Sequence, residues 1–363
     1  MRLAKEAASG AFAAHGAVNH IDGVRGESIE SVVVIFPGAL GDLLLALPAL
    51  RALRARHAGT PSTFVVGEAL RGIVALAGIA DATQALESAD AAALFGGTRL
   101  PAWLSHRPVV YSWLGADDAD VRARVAAAAR TARFFKVERG DGTTHAAVAY
   151  ARAVGAPVGP RALASAATLV PPASGAADSL WSGLADPVLA IHAGAGARAK
   201  RWDVAGFVQV AHWWRAAGGN VVAVAGPAEA GEPPALGLPE VRDWPLVDVA
   251  AVLSRAALYL GNDSGITHLA AAVGSRGAAL YGPTDPGRWR PAGGGLVALR
   301  ARTSGPDGIP LSALPAARVI AACRRRFALT RGDPDTSVQP FDRTGSSSTK
   351  LQIKSTAFPS KEA

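Results

Sequence analysis

Polar side chains that could bind an anionic ligand are concentrated in residues 261–268. An apolar run ends at Gly261, and Asn-Asp-Ser-Gly then leads into Ile-Thr-His-Leu-Ala-Ala, which is typical of the start of a helix. A helix that begins directly after a strand presents free backbone N–H groups at the positive end of its dipole, and these groups bind anions. The candidate residues are Asp263, Ser264, Gly265 and His268. The alternative is a helix capped by Ser264, with a buried and hydrogen-bonded histidine.

A second loop with glycines follows the apolar run at 188–192. It contains Gly194 and Ala195, and it leads to Lys200 and Arg201. Glycines allow the backbone to approach a phosphate closely, and the lysine could supply a positive charge. Alone, this pattern fits a plain surface loop equally well. Together with the first cluster it indicates a phosphate-binding domain.

Two further loops follow predicted strands. Glu229 lies in the loop after the strand at 220–225 and could accept a hydrogen bond from a ribose or a base edge. The alternative is a solvated acid at the start of a helix. Thr284 and Asp285 follow the strand predicted over 277–281. Because parallel strands end at the same edge of a sheet, all four loops should line one rim.

A carboxylate also follows the β-branched run at 32–36. The loop between them contains Gly38 and Gly41, and Asp42 is predicted to cap the next helix. Asp42 would then lie at the carboxyl end of a parallel strand, where open α/β sheets bind their ligands. The loop imitates a dinucleotide-binding fingerprint. However, Gly-x-Gly is absent, and the carboxylate would lie where a pyrophosphate must bind.

Metal-binding patterns are weak in this sequence. Asp118-Ala119-Asp120 resembles a metal-binding Asp-x-Asp, but it precedes an Ala-rich segment, and capping of a helix explains it better. The single cysteine, Cys323, excludes an intramolecular disulfide and a metal site built from several cysteines. We therefore predict no metal site and no cofactor.

Strands and helices alternate along the chain, which predicts an α/β fold with parallel sheets. One series covers 31–168 and a second covers 188–329, with a proline-rich linker at 169–187. Each series begins with a strand and a glycine loop, so we expect two facing Rossmann-like domains with a cleft between them. Residues 1–30 should form a poorly ordered leader, and residues 330–363 a disordered tail.

Individual elements are also predicted from the hydrophobic pattern. In the first domain we expect strands over 63–66 and near 109–113, and a helix over 121–133. In the second domain we expect helices over 264–273 and 312–327.

Composition and charge limit the classes of function. The 363 residues carry a formal net charge of +8, and half are hydrophobic, so two ordinary domains are expected. The basic residues are mainly scattered arginines, so a compositional bias explains them better than a dedicated basic face that binds nucleic acid. What remains is an expected modest affinity for anionic partners, namely nucleotides, phosphorylated glycans or an acidic membrane surface. No apolar run reaches the roughly 18 residues of a membrane helix, and no signal-peptide pattern is present. The chain is expected to be soluble and cytoplasmic, with peripheral contact at the inner membrane surface as a further hypothesis.

These loops, taken together and in this order, resemble the heptosyltransferase family, glycosyltransferase family 9. This family adds heptose from ADP-heptose to the core of bacterial lipopolysaccharide. The resemblance covers about 31–327. The motifs that carry it are Pro37–Asp42 with Leu47–Arg51, His192–Ala195 with Lys200–Trp202, Gly261–His268 and Gly282–Pro286.

The resemblance implies a GT-B fold, with the acceptor on the N-terminal domain and the nucleotide-sugar on the C-terminal one. It also implies inverting transfer without a metal. In the family, the acid that matches Asp42 is the proposed general base, and the lysine that matches Lys200 contacts the donor phosphate. The residues that match 263–268, including Ile266, hold the nucleotide-sugar. The further residues expected in the cleft are Gly38, Gly41, Arg201, Thr284 and Asp285.

Three hypotheses follow. The first is a glycosyltransferase that uses ADP-heptose or a related nucleotide-sugar and a lipopolysaccharide-core or other glycan acceptor. The second is a nucleotide-sugar epimerase or hydrolase on the same fold, which would need further acids in the cleft beyond Asp42. The third is a nucleotide-sugar-binding protein without catalysis, and the presence of Asp42 argues against it.

Overall fold

The computed structural model describes residues 29–96, 99–139, 142–226, 229–232, 236–301 and 310–330. Except at their inner ends, the leader predicted over 1–30 and the tail predicted over 330–363 lie outside these residues. Within the described ranges, no helix is both long enough and apolar enough to cross a membrane.

The first series of elements forms a parallel sheet. Its strands are β1 (Val32–Phe36), β2 (Ser62–Val66), β3 (Ala82–Ala85), β4 (Val109–Ser112) and β5 (Thr131–Phe134). Its helices are α1 (Leu40–Arg56), α2 (Arg71–Ala77), α3 (Ala89–Ala92), α4 (Ala119–Ala128) and α5 (Ala146–Ala153). The strand order is β3-β2-β1-β4-β5, so the chain crosses over once after β3.

The apolar run at the start of this domain is the central strand. All five residues of β1 are buried, and Val34 pairs with Phe64 of β2 on one side and with Tyr111 of β4 on the other. A parallel strand covered on both faces is apolar throughout, which explains the run of Val and Ile.

Two predictions in this domain are wrong in detail. Asp42 does not cap α1, because the helix begins at Leu40 after the cap residue Ala39 and the carboxylate lies in the first turn. The helix predicted over 121–133 ends at Ala128, and Thr131–Phe134 forms the edge strand β5. The residues of β5 alternate in exposure, but the Ala-rich sequence before them favours a helix and so extends the predicted helix too far.

Along the chain, two helices separate the strands of this sheet from those of the next one: α6 (Pro160–Ala166) and α7 (Gly175–Ser182). The second lies within the segment predicted as a linker, 169–187. The first packs on α1, where Nη1 of Arg51 donates a hydrogen bond of 2.8 Å to the Ala166 carbonyl.

The second series forms another parallel sheet. Its strands are β6 (Val188–His192), β7 (Asn220–Val224), β8 (Glu240–Val241), β9 (Leu258–Asn262), β10 (Arg276–Tyr281) and β11 (Gly295–Arg300). Its helices are α8 (Val204–Ala216), α9 (Leu246–Arg255), α10 (Gly265–Ala272), α11 (Pro286–Trp289) and α12 (Ala316–Thr330). The strand order is β11-β10-β9-β6-β7-β8.

The two halves pack together through their helices. The helix α1 contacts α10, and α2 contacts α9. Leu43 and Leu47 of α1 belong to the same buried cluster as Leu269 of α10 and Val249 of α9. This shared core holds the carboxyl ends of the two sheets on either side of one cleft.

Candidate functional site

The first turns of α1 and α10 meet at the floor of the cleft. A Cβ atom on Gly41 would lie 3.3 Å from Cδ2 of His268 and 3.7 Å from Cα of Gly265. Glycine at these positions allows the two backbones to approach closely. Both helices therefore bring their positive N-terminal ends to the same place, which favours a negatively charged ligand there.

The Asp42 carboxylate lines a cavity of about 470 Å³ at this point. Burial raises the pKa of Asp42 above its ordinary value, whereas a hydrogen bond from the Ala39 backbone and the charges of Lys200 and Arg139 act in the opposite direction. Since burial is the largest of these effects, the carboxylate is a stronger base than a solvent-exposed aspartate.

A lysine and a buried acid also line this cavity. The Oδ2 atom of Asp263 accepts hydrogen bonds from Nζ of Lys200 at 2.8 Å and from Oγ1 of Thr284 at 2.7 Å. The Lys200 side chain remains one-third exposed. Because an ammonium group has three N–H donors, Lys200 can bind a ligand and keep its bond to Asp263.

Ser264 and His268 have both roles that the sequence allowed, as part of the helix structure and as lining of the site. Ser264 does cap α10, because its Oγ accepts a hydrogen bond from the Thr267 amide at 3.2 Å. His268 is only 6 % exposed, and burial lowers its pKa to about 4, so the imidazole is neutral at pH 7. Both residues also line the cavity that contains Asp42.

Glu229 lies at the other end of the cleft, in a second cavity of about 460 Å³. It is only 6 % exposed, so the alternative of a solvated acid is wrong. Its Oε2 accepts a hydrogen bond of 2.8 Å from the Gly226 amide, whereas its buried Oε1 has no hydrogen-bond partner among the described residues. Nη2 of Arg201 lies 3.8 Å from Oε1. Glu229 therefore brings a buried negative charge to this end of the site, with Oε1 packed against Gly194.

The two cavities form one elongated site. Residues of both halves line each cavity, and the positions that line both are Ala39, Gly41, Gly196, Ser264 and Gly265. The junction lies at the N-terminal end of α10. A ligand with a central anionic group and two uncharged ends would match this arrangement.

Most of the predicted residues line this site. Those around the first cavity are Gly41, Asp42, Lys200, Asp263, Ser264, Gly265, His268 and Thr284. Those around the second are Gly38, Gly41, Ala195, Glu229, Ser264, Gly265 and Ile266.

Three predicted residues lie elsewhere. Gly194 and Arg201 line a smaller cavity of about 90 Å³ beside Glu229. Asp285 is exposed and caps α11, since its Oδ1 accepts a hydrogen bond of 3.0 Å from the Gly287 amide. Asp285 lies next to Thr284 in the same loop, but its carboxylate caps α11 and does not line the cavity.

Asn262 belongs to the polar cluster at 261–268, but the sequence predicts no role for its side chain. Its side chain is fully buried, and its Oδ1 accepts a hydrogen bond of 3.1 Å from the Trp202 amide. Its Nδ2 donates to the carbonyl groups of Ala193 at 2.7 Å and Gly194 at 3.3 Å. Asn262 thus fixes both sides of the loop that delivers Lys200.

Several lining residues were missed altogether. Arg139 and Trp289 line the cavity of Asp42. The N-terminal half also contributes Gly67, Ala69, Leu70, Leu86 and Glu87 to the second cavity. Trp289 follows the motif Gly282–Pro286 by three positions, and this proximity is a sequence signal for a place in the cleft. Arg139 lies in a stretch without any motif, so no sequence signal indicates it.

The described part of the chain contains no group of three or more His, Cys, Asp or Glu side chains placed to hold a metal ion. Cys323 is buried in α12, and burial raises the pKa of its thiol to about 12.

Comparison with known proteins identifies one family. Residues 161–307 match the model of glycosyltransferase family 9 (heptosyltransferase). No curated protein sequence matches the chain.

Solved structures resemble the chain over most of its length. A glycosyltransferase of family 9 from Veillonella parvula DSM 2008 is 21% identical, with a TM-score of 0.66 over 85% of this chain and 100% of that one. The ADP-heptose lipopolysaccharide heptosyltransferase II of E. coli is 16% identical, with a TM-score of 0.63 over 83% and 100%. The E. coli heptosyltransferase WaaC with ADP is 18% identical, with a TM-score of 0.54 over 82% and 99%.

These matches confirm the predicted resemblance to the heptosyltransferase family. The predicted GT-B fold of two facing parallel α/β units is confirmed as well. Residues 161–307 are thus similar to glycosyltransferase family 9, and the solved structures share the fold of the whole chain.

Proposed function

We propose that this chain transfers heptose, or a related sugar, from ADP-heptose or a similar nucleotide-sugar to a hydroxyl group of a lipopolysaccharide-core or other glycan acceptor. The transfer inverts the anomeric centre and needs no metal. One observation carries the proposal: a basic carboxylate, Asp42, lines the same cavity as the Lys200–Asp263 pair, at the N-terminal end of α10.

The elongated site matches the parts of a nucleotide-sugar. The nucleoside would lie in the cavity of Glu229, where the carboxylate would accept a hydrogen bond from a ribose hydroxyl. The diphosphate would lie at the junction, against the amides at the start of α10 and the ammonium of Lys200. The sugar would then lie in the cavity that contains Asp42 and Asp263. The related heptosyltransferase WaaC has been crystallised with ADP and with ADP-2-deoxy-2-fluoro heptose, which supports this choice of donor.

Asp42 would act as the general base. It comes from the N-terminal half, whereas the residues proposed for the donor come mainly from the C-terminal half. An acceptor hydroxyl beside Asp42 would lose its proton to the carboxylate as its oxygen attacks the anomeric carbon. The raised pKa of Asp42 helps, because a base is more effective when its pKa lies closer to the working pH.

The origin of the base and of the phosphate-binding groups in different halves of the chain supports inversion. In a single displacement the nucleophile enters from the side opposite the departing diphosphate. The bond from the acceptor oxygen to the anomeric carbon forms while the bond to the diphosphate oxygen breaks, and the negative charge moves onto the diphosphate. Lys200 and the helix N-terminus are placed to stabilise that charge, which is the role a metal ion has in other glycosyltransferases.

Acceptor and location are further parts of the proposal. The net charge of +8 supports an acidic glycan or glycolipid as acceptor, and contact with the inner surface of the cytoplasmic membrane would bring the enzyme to it. We propose a cytoplasmic protein that binds no nucleic acid.

The test is transfer by the purified full-length protein. We expect product from ADP-heptose and a lipopolysaccharide-core acceptor, unchanged by EDTA, with the opposite anomeric configuration to the donor by NMR. Asp42→Asn should lower the rate by about 10²–10⁴-fold, the usual contribution of a general base, with unchanged ADP affinity. Asp178→Asn, on the exposed side of α7, is the matched control.

The same assay separates the alternatives. An epimer or free sugar formed from donor alone would favour an epimerase or hydrolase. Tight ADP binding without turnover for any acceptor would favour a binding protein. Full activity of Asp42→Asn would show that another group is the base.

A further inference from the structure

A buried arginine in α11 joins the two halves of the chain beside the cleft. The Arg288 side chain is only 4 % exposed, and its guanidinium contacts the segment between β5 and α5. We call the described part of this segment, residues 138–139 and 142–145, the strap. The strap belongs to the N-terminal half and α11 to the C-terminal half.

Arg288 binds the strap at three points. Its Nη2 lies 2.8 Å from Oε2 of Glu138 and also donates to the Arg139 carbonyl. Its Nη1 donates to the Thr144 carbonyl at 3.0 Å. A Cβ atom on Gly142 would overlap the guanidinium, so the backbone passes directly over it. The planar donors of one arginine thus bind a carboxylate and two carbonyl groups of the same segment.

A second contact fixes the far end of the strap. Nδ1 of His145 accepts a hydrogen bond from the Ala147 amide at 3.2 Å, so the proton lies on Nε2. Nε2 then donates to the Arg290 carbonyl at 3.0 Å. The strap is therefore held against α11 at both ends.

The consequence lies in the cavity of Asp42. Arg139, whose carbonyl is bound by Arg288, lines that cavity together with Trp289, the next residue of α11. We propose that Arg288 is a positioning residue, which fixes the strap on α11 so that the Arg139 side chain faces Asp42. The cleft is thereby completed by a contact between the two halves that lies outside the reacting groups.

This role has an electrostatic signature. The positive charge of Arg139 opposes the rise in the pKa of Asp42 that burial causes. If the strap is released, Arg139 moves away and the pKa of Asp42 should rise further. The other titratable groups around this carboxylate are Lys200, Asp263, His268 and Tyr150. Tyr150 touches the strap by accepting a hydrogen bond from the Glu138 amide, so it is kept in every variant.

The deciding measurement needs no substrate. The carboxyl carbons of the full-length protein are labelled with carbon-13 aspartate, Asp42 is assigned with Asp42→Asn, and its titration is followed by NMR. In Arg288→Ala the titration midpoint of Asp42 should move to higher pH, because the nearby positive charge that lowers it is withdrawn. Arg139→Ala should move it equally, and the double variant no further, because Arg288 acts through Arg139.

Controls distinguish positioning from general stabilisation. Arg54→Ala removes a comparable arginine that binds Asp81 and the Thr60 carbonyl far from the cleft, and it should leave the Asp42 midpoint unchanged. An unchanged midpoint in Arg288→Ala, with only a lower melting temperature, would overturn the proposal. If Arg288→Ala does not fold, Arg288→Lys, which keeps one charge, should give a smaller shift in the same direction. An unchanged Asp42 titration midpoint in Arg288→Lys would also contradict the proposal.

The kinetic consequence rests on the proposed function. In Arg288→Ala the acidic limb of the transfer rate should move to higher pH by the same amount, while ADP affinity stays unchanged, because Glu229 and Lys200 do not contact the strap. If the chain transfers no sugar, the proposed function fails, but the Asp42 titration still decides the role of Arg288.

Discussion

Gly265 lies so close to Gly41 that a Cβ atom on Gly265 would be 3.3 Å from the Gly41 backbone nitrogen and 3.0 Å from Cβ of Leu40. At these two glycines the halves of the chain are in close contact at the floor of the cleft. The distance between Asp42 in α1 and Ser264 at the cap of α10 is set by this contact.

We predict that Gly265→Ala separates the two helix starts. Neither neighbouring atom belongs to a flexible side-chain end, so the backbones must move by a few tenths of an ångström. Crowding of this kind costs about 1–3 kcal/mol, and the transfer rate should fall more than ADP affinity because Asp42 moves relative to the donor. Melting temperature, ADP affinity and transfer rate are measured together.

The matched control is Gly175→Ala at the first residue of α7, where a Cβ atom would meet nothing within 4 Å. It should leave the transfer rate unchanged. An unimpaired rate in Gly265→Ala would show that the contact does not set the geometry of the reaction.

Replacement of the phosphate-facing lysine is the second prediction. Lys200→Met removes the cation proposed for the diphosphate and also leaves the buried Asp263 without its ion pair. A charge-assisted hydrogen bond contributes about 1.5–3 kcal/mol, so the dissociation constant for ADP should rise by roughly 10–100-fold. Adenosine, which has no phosphate, should bind almost as before, as seen by calorimetry.

An exposed lysine provides the comparison. Lys136→Met removes a surface ion pair with Asp117 and should change neither ligand's affinity. Equal weakening of ADP and adenosine in Lys200→Met would indicate a distorted domain rather than a lost phosphate contact.

Glu229→Gln tests the nucleoside end. The substitution keeps one acceptor oxygen for the Gly226 amide but removes the charge from the atom proposed to bind a ribose hydroxyl. ADP should bind about 10-fold more weakly, since the NH2 group that replaces the second oxygen is a donor and cannot accept the ribose hydrogen bond. The difference in affinity between ADP and its 2′,3′-dideoxy analogue should shrink accordingly. Glu232→Gln, at a half-exposed acid paired with Arg201, is the control and should preserve that difference.

Much of this site follows from local sequence. The run at β1 predicts a buried strand, and Ser264 is a good cap because its hydroxyl satisfies an amide of the next turn. Lys200 and Asp263 could be placed at one rim because strand ends in a parallel sheet share an edge. These features depend on spacing within a few residues or on a general rule of topology.

The rest depends on contacts that a single sequence does not contain. The short edge strands β3 and β5 have alternating exposure and no apolar run. Asp285 belongs to a matched motif, yet its carboxylate caps α11. The partner of Arg288 lies 150 positions earlier in the chain, at Glu138, and no local pattern predicts such a pairing.

The buried His268 predicts loss of stability in acid. Burial lowers the pKa of this histidine from 6.5 to about 4 in the folded chain. Between these values the unfolded chain binds a proton at this position and the folded chain does not, so the free energy of unfolding falls as the pH decreases. No stability is lost through this group above pH 6.5. At pH 4.5 the loss should be about 2–3 kcal/mol, because each pKa unit corresponds to about 1.4 kcal/mol.

His268→Gln removes this dependence because glutamine does not titrate. Urea unfolding at pH 7.5 and 4.5 should therefore show a smaller loss of stability in the variant than in the parent chain, even if the variant is less stable at the higher pH. His212→Gln, at an exposed histidine of α8, is the matched control. The buried His192 contributes a dependence of the same sign to every chain compared, so it cancels in the difference. If His268→Gln and the parent chain lose the same free energy of unfolding between pH 7.5 and 4.5, His268 takes up its proton in the folded state.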